Sequence, residues 1–158
     1  MRQQYVRAAP QRSPIDGTHM NTTRKTFPLK HLLAMTSSGT IDLAASKTAL
    51  KNLAVDPDFR ANYEVLLDLR DSECDLSLSD VFEIAIFIAR PDPALPPRQK
   101  IAVLVSGKDA FDHAKFLEQC SKHQGIKVNA FDDYEKASKW LDADLPDDPR
   151  QTHAMRNA

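Results

Sequence analysis

Asp75-Leu76-Ser77-Leu78-Ser79-Asp80-Val81-Phe82-Glu83-Ile84-Ala85-Ile86-Phe87-Ile88 is the stretch whose reading decides the fold. On propensity alone, Val81 to Ile88 would be a strand, because β-branched and aromatic residues favour a pleated surface. Ser77 and Asp80, however, stand three positions apart just before the apolar run, as the reciprocal partners of a capping box do. The stretch is therefore predicted as a helix, strongly apolar and well buried, with Ile84 and Ile88 among its most buried residues.

Working upstream, Tyr63-Glu64-Val65-Leu66-Leu67-Asp68-Leu69 is short and apolar enough for a central parallel strand. A helix precedes it, capped by Asp42, with Leu43, Ala49, Leu50 and Leu53 inward, and closed at Asp56-Pro57-Asp58. Before that, Thr26-Phe27, a bend at Pro28 to Lys30, and His31 to Thr36 suggest a short hairpin or bent strand ending at Ser37-Ser38-Gly39. Downstream, Ile101 to Val105 is the next strand. Asp109 to Gln124 is a helix with Ala110, Ala114, Leu117 and Cys120 on one stripe and Gly125 as its stop. Ile126 to Phe131 is the last strand, and Asp132 with Glu135 forms a capping box for a closing helix that turns Ala137, Trp140 and Leu141 inward. The order β(β)αβαβαβα predicts a single α/β domain: a mainly parallel sheet of about four to five strands covered by about four helices, with right-handed crossovers.

The 158 residues hold 21 Lys plus Arg against 22 Asp plus Glu, a balance that excludes the basic excess of a dedicated nucleic-acid binder. Residues 1–25 read as a disordered basic arm, with Arg2, Arg7, Arg12, Arg24 and Lys25 against Asp16 alone. Gly17-Thr18-His19-Met20 looks like the scar of a cloning junction, which would make part of that arm an expression tag and Met20 the natural start. The domain is expected over 26–143, followed by a disordered tail over 144–158. Within the domain, Arg90 to Arg98 holds Pro91, Pro93, Pro96 and Pro97 and reads as a stiff surface connection.

Cys74 and Cys120 show neither CxxC spacing nor a nearby His pair, so no zinc site or disulfide is expected, and both read as buried free thiols. No apolar run reaches the roughly 20 residues of a membrane span, and no secretory signal opens the chain, so a cytoplasmic protein is expected.

Five motifs, taken in order and spacing, carry a resemblance. They are Gly39-Thr40-Ile41-Asp42, Val55-Asp56-Pro57-Asp58-Phe59, Val65-Leu66-Leu67-Asp68-Leu69-Arg70, Val103-Leu104-Val105-Ser106, and Val128-Asn129-Ala130-Phe131 with Ala137, Trp140 and Leu141. Together with the capped apolar helix, they resemble the STAS domain, the fold of anti-sigma-factor antagonists and of sulfate-transporter tails, and in particular its uncharacterised bacterial STAS-like branch. The resemblance implies a non-catalytic regulatory module with a protein partner. The partner surface would span Arg70 to Phe82, with Arg70, Asp71, Asp75, Leu76, Leu78 and Phe82 as candidates. In the antagonists a Ser or Thr at this helix start is phosphorylated within Asp-Ser-Ser-Gly or Asp-Thr-Ser-Gly, which makes Ser77 and Ser79 the corresponding candidates. This chain lacks the glycine, and Asp80 would repel an added phosphate, so the expectation is partner binding without the switch.

Other chemistry is thinner. Ser106-Gly107-Lys108 lies between strand and helix, where backbone amides could hold an anion, but without P-loop glycine spacing it reads as a plain turn. His113 near Asp109 and Asp112 reads as a solvated surface residue. Asp68, Asp71, Glu73 and Asp75 gather at the expected strand end and read as a solvated acidic loop, so neither metal nor cofactor is expected. The alternative to a partner module is a small-molecule or lipid-binding domain with an apolar pocket beneath the helix that carries Phe82, Ile86 and Phe87. Exposed Leu76 and Leu78 would favour the first, an enclosed apolar cavity with few polar groups the second. The oligomeric state is left open.

Overall fold

The computed structural model describes residues 20–60, 63–89, 100–143 and 145–150. Five strands form one sheet in sequential order: β1 (Asn21–Phe27), β2 (Leu32–Ile41), β3 (Glu64–Cys74), β4 (Lys100–Leu104) and β5 (Lys127–Phe131). β1 is antiparallel to β2, and every other neighbouring pair is parallel. The helices are α1 (Leu43–Ala54), α2 (Pro57–Arg60), α3 (Leu78–Ile88), α4 (Lys108–His123) and α5 (Tyr134–Trp140). The α/β class, the mainly parallel sheet and the strand count match the expectation from sequence.

Because β2 to β5 advance in one direction, crossovers of one hand put their helices on one face of the sheet. On that face Leu33, Val65, Val103 and Val128 pack with Leu53 and Phe59 from the α1–α2 segment and Ala114 from α4. The opposite face is covered by α5, which no strand follows among the described residues, and there Leu32, Leu66, Ala102 and Leu104 meet Ala137 and Leu141. Adjacent residues such as Leu32 and Leu33, or Val65 and Leu66, enter different cores because side chains alternate along a strand.

The deciding segment is helical. The Ser77 hydroxyl accepts from the Asp80 amide at 3.0 Å, and the Asp80 carboxylate accepts from the Ser77 amide at 3.0 Å, closing the predicted capping box. Ile84 and Ile88 are 6% and 5% exposed, as predicted.

Several boundaries move. Residues 21–25, assigned to the arm, form most of β1, an edge strand whose Arg24 reaches Asp56 and Asp58 at 3.0 and 2.6 Å. β2 runs through Ser37-Ser38-Gly39 to Ile41, and β3 runs past Leu69 to Cys74. Their pairing shifts from Thr36 opposite Asp68 to Ser38 opposite Asp71, so β3 carries one extra residue there, a β-bulge. Asp133, not Asp132, caps α5 by accepting from the Lys136 amide at 3.0 Å, which leaves Glu135 outside any capping box. Cys74 is exposed and Cys120 half-buried, against the expectation of two buried thiols. Residues 145–150 of the expected tail fold back, and Asp148 is buried. The expected disordered residues 1–19 and 151–158 and the proline connection over 90–98 lie outside the described residues.

Candidate functional site

The helix expected to be well buried is buried on one side only. Val81, Ile84, Ala85 and Ile88 face inward, while Leu78, Phe82 and Ile86 are 54%, 52% and 38% exposed. Their spacing of four places them one above another on the outer side of α3. Such a contiguous apolar stripe differs from a singly exposed leucine, which any surface carries. Beside it, Asp75 is exposed before the helix, and Glu83 pairs with Lys47 of α1, whose ammonium also lies 5.8 Å from the Phe87 ring centre.

The other surface candidates separate. Leu76 is half-buried against the inner side of α3. Arg70 is not on this surface: its side chain is 8% exposed and points to the α5 side of the sheet. There its Nε and Nη2 donate to the two Asp68 oxygens at 2.9 and 2.8 Å, and its Nη1 and Nη2 donate to the two Asp148 oxygens at 2.8 Å each. The Tyr134 ring stacks 5.5 Å away. Burial opposes the guanidinium charge, but the bonds to Asp68 and Asp148 outweigh it and raise the Arg70 pKa. The same bonds from Arg70 hold the Asp148 carboxyl below its ordinary range. Asp71 is exposed, 3.8 Å from Arg150 of the returning tail.

The expected acidic loop is instead the second half of β3, and the strand spreads its acids apart. Asp68 is taken up by Arg70, and among the described residues no group of three or more His, Cys, Asp or Glu could hold a metal ion. Ser106-Gly107-Lys108 is an exposed strand-to-helix turn: Gly107 has φ +91°, and Lys108 pairs with Asp112 at 2.8 Å. His113 is half-buried rather than solvated, its Nδ1 donating to the Asp109 carbonyl at 2.7 Å.

Behind α3 the packing leaves space. A cavity of about 140 Å³ lies between α1, α3 and the sheet, lined mainly by apolar residues such as Met35, Leu53, Leu67 and Ile88, with Thr22, Ser37 and Ser46 among them. A chamber of about 70 Å³ beside α4 shares Leu69, Leu76, Ile84, Val103 and Leu117 with it. The buried Ser72 hydroxyl is in the wall of this chamber and has no hydrogen-bond partner among the described residues. The larger cavity shares Met20, Thr22, Met35 and Ala49 with an open groove between α1 and the β1–β2 hairpin. The apolar space thus lies beneath α3, between it and α1, and is lined by Ile84 and Ile88, while Phe82 and Ile86 face solvent. A pocket beneath this helix is one of the two expectations from sequence; Ser72 is not, because the expected strand ends at Leu69 and leaves residue 72 without a face.

The fold is similar to that of an anti-sigma factor antagonist from Mycobacterium paratuberculosis, with a TM-score of 0.55 and 12% identity, covering 79% of this chain and 96% of that one. An uncharacterized protein with a SpoIIAA-like fold from Shewanella loihica aligns with a TM-score of 0.48 and 13% identity over 77% of this chain and 93% of that one. No family model and no curated protein matches the sequence. Among the described residues, no helix is long and apolar enough to cross a membrane. The first likeness establishes the STAS-like fold.

Proposed function

We propose that this chain, having the STAS-like fold, works as a non-catalytic regulatory module that binds a protein partner through the outer side of α3. The observation that carries the reading is the stripe of Leu78, Phe82 and Ile86, which leaves apolar surface in water on a helix whose inner side already satisfies the core. The exposed carboxylate of Asp75 at the start of the helix suits a partner segment that is apolar at its centre and carries a basic residue at one edge. The anti-sigma factor antagonist that shares the fold is named for opposing another protein, in keeping with a partner role.

Ser77 serves the fold as a helix cap, and Asp80 beside it disfavours an added phosphate, so binding here runs without a phosphoryl switch. A reducing, cytoplasmic compartment suits the exposed free thiol of Cys74. The test compares capture from an extract of the source organism by the wild-type chain and by Phe82→Glu and Ile86→Glu variants. A protein retained by the wild type and lost by both folded variants supports the reading. A set of captured proteins unchanged by either substitution refutes it.

A further inference from the structure

We propose that the cavity behind α3 is a ligand site for a slender apolar molecule of about six carbons carrying one hydroxyl or carbonyl group, with that group at Ser72. Two independent features meet there. One is the apolar space of about 140 Å³ between α1, α3 and the sheet, which opens into the groove beside α1. An engineered cavity of about 150 Å³ stays dry when empty and takes up benzene, so this volume suits a six-carbon body. The other is the Ser72 hydroxyl, buried without a partner in the adjoining chamber of about 70 Å³. A buried hydroxyl with unmet hydrogen-bonding capacity calls for a partner from outside the fold.

The β-bulge is what brings the two together. Leu67 and Leu69 face the helices, and regular alternation would carry Leu69 to residues 71 and 73 on that face. The extra residue in β3 instead turns Ser72 toward the adjoining chamber and leaves Asp71 and Glu73 exposed. The group that follows Leu69 on this face is therefore an uncharged hydroxyl rather than a carboxylate, and since Thr22, Ser37 and Ser46 of the larger cavity are uncharged as well, the lining suits a neutral ligand.

Entry is through the groove between α1 and the hairpin, which shares Met35, Ala49 and Leu53 with the cavity. Asp42, Asp56, Glu73 and Asp75 line this groove, and its Arg24 is already engaged by Asp56 and Asp58. The mouth thus repels anions, so an alcohol is favoured over a carboxylate of the same length. The site is separate from the outer stripe of α3, and its occupancy is read without any protein partner.

The experiment titrates the whole chain with 1-hexanol, benzene and hexanoate, following side-chain methyl resonances and the thermal midpoint. The expected result is saturable shifts at Met35, Ile84 and Ile88 with hexanol and benzene, a midpoint that rises with concentration, and weaker binding of hexanoate. Ala49→Phe, which fills the entrance, should abolish binding of both neutral probes. Ser72→Ala should weaken hexanol about threefold to tenfold and leave benzene unchanged. Absence of saturable binding by both neutral probes, or shifts that persist in folded Ala49→Phe, overturns the site. Hexanol binding untouched by Ser72→Ala overturns the placement of the polar group, and that small substitution decides the question even if Ala49→Phe does not fold.

Discussion

The Arg70 guanidinium holds the Asp148 carboxylate through two hydrogen bonds of 2.8 Å each, joining β3 to a residue 78 positions later in the chain. On its other edge the same guanidinium holds Asp68, so one planar cation is shared by two carboxylates, both little exposed. Such fork-to-carboxylate pairing fixes position as well as charge. It anchors the segment after α5 against the sheet, where Tyr134 adds a hydrogen bond from its hydroxyl to the Pro146 carbonyl at 3.1 Å.

Removing the tail's half of this cluster has a defined cost. Asp148→Ala should destabilise the domain by about 2 kcal/mol, less than the loss of a solitary buried partner because Asp68 still faces the guanidinium. Arg70→Ala should cost more, since it leaves two carboxylates facing each other without a cation. Urea unfolding of the three proteins gives both values, and equal stabilities would contradict the clamp.

The clamp also sets a pH dependence. Arg70 lowers the folded pKa of Asp148, so between its folded and unfolded values the unfolded chain binds more protons. The stability from Asp148 is therefore complete above the ordinary carboxylate range and is lost as pH falls below about 4. Glu64, raised chiefly by burial, acts in the opposite sense: it binds more protons when folded and contributes less as pH rises. Asp148→Asn should flatten the acid limb of a stability-versus-pH curve, and an unaltered limb would assign it to other groups.

The two sides of α3 should answer one charge in different ways. Ile84→Asp places a carboxylate among apolar residues and should unfold the domain. Phe82→Asp, on the outer side, should change stability by about 0.5 kcal/mol or less. Circular dichroism during thermal unfolding separates the outcomes, and comparable loss in both would mean that the outer stripe is part of the core.

Ser77 is predicted to act as a cap and not as a phosphate acceptor. Ser77→Ala should cost about 1 kcal/mol through loss of the hydroxyl that receives the Asp80 amide. Intact-mass and peptide spectra of the protein from its source organism should show neither Ser77 nor Ser79 phosphorylated. Substantial occupancy at either serine would restore the kinase route.

What could be read from sequence follows the range of the forces involved. The capping box of Ser77 and Asp80 is local, three residues wide, and it overrode β-propensity correctly for Val81 to Ile88. The Arg70 to Asp148 clamp has no local signal, so Arg70 read as surface and the tail as disordered. The bulge in β3 was hidden as well, since one extra residue leaves composition unchanged while reversing which face Ser72 and Asp71 occupy. On α3 the exposed Leu78 and Phe82 are among the expected surface residues, but Ile86 is not, because an all-apolar helix gives little periodic contrast from which to tell its buried side from its exposed one. Asp133 displaced Asp132 as the cap of α5 because two adjacent aspartates offer equivalent chemistry to the sequence reader.

The central claim is that the outer side of α3 meets a protein, and the most direct measurement is site-specific photocrosslinking in cells of the source organism. A benzophenone side chain replacing Phe82 keeps an aromatic group on the stripe, and one replacing exposed Glu135 on α5 is the control. The account predicts a discrete crosslinked protein from position 82, absent from position 135 and lost when Leu78→Glu is added. Equal products from both positions, or none from position 82, would contradict it.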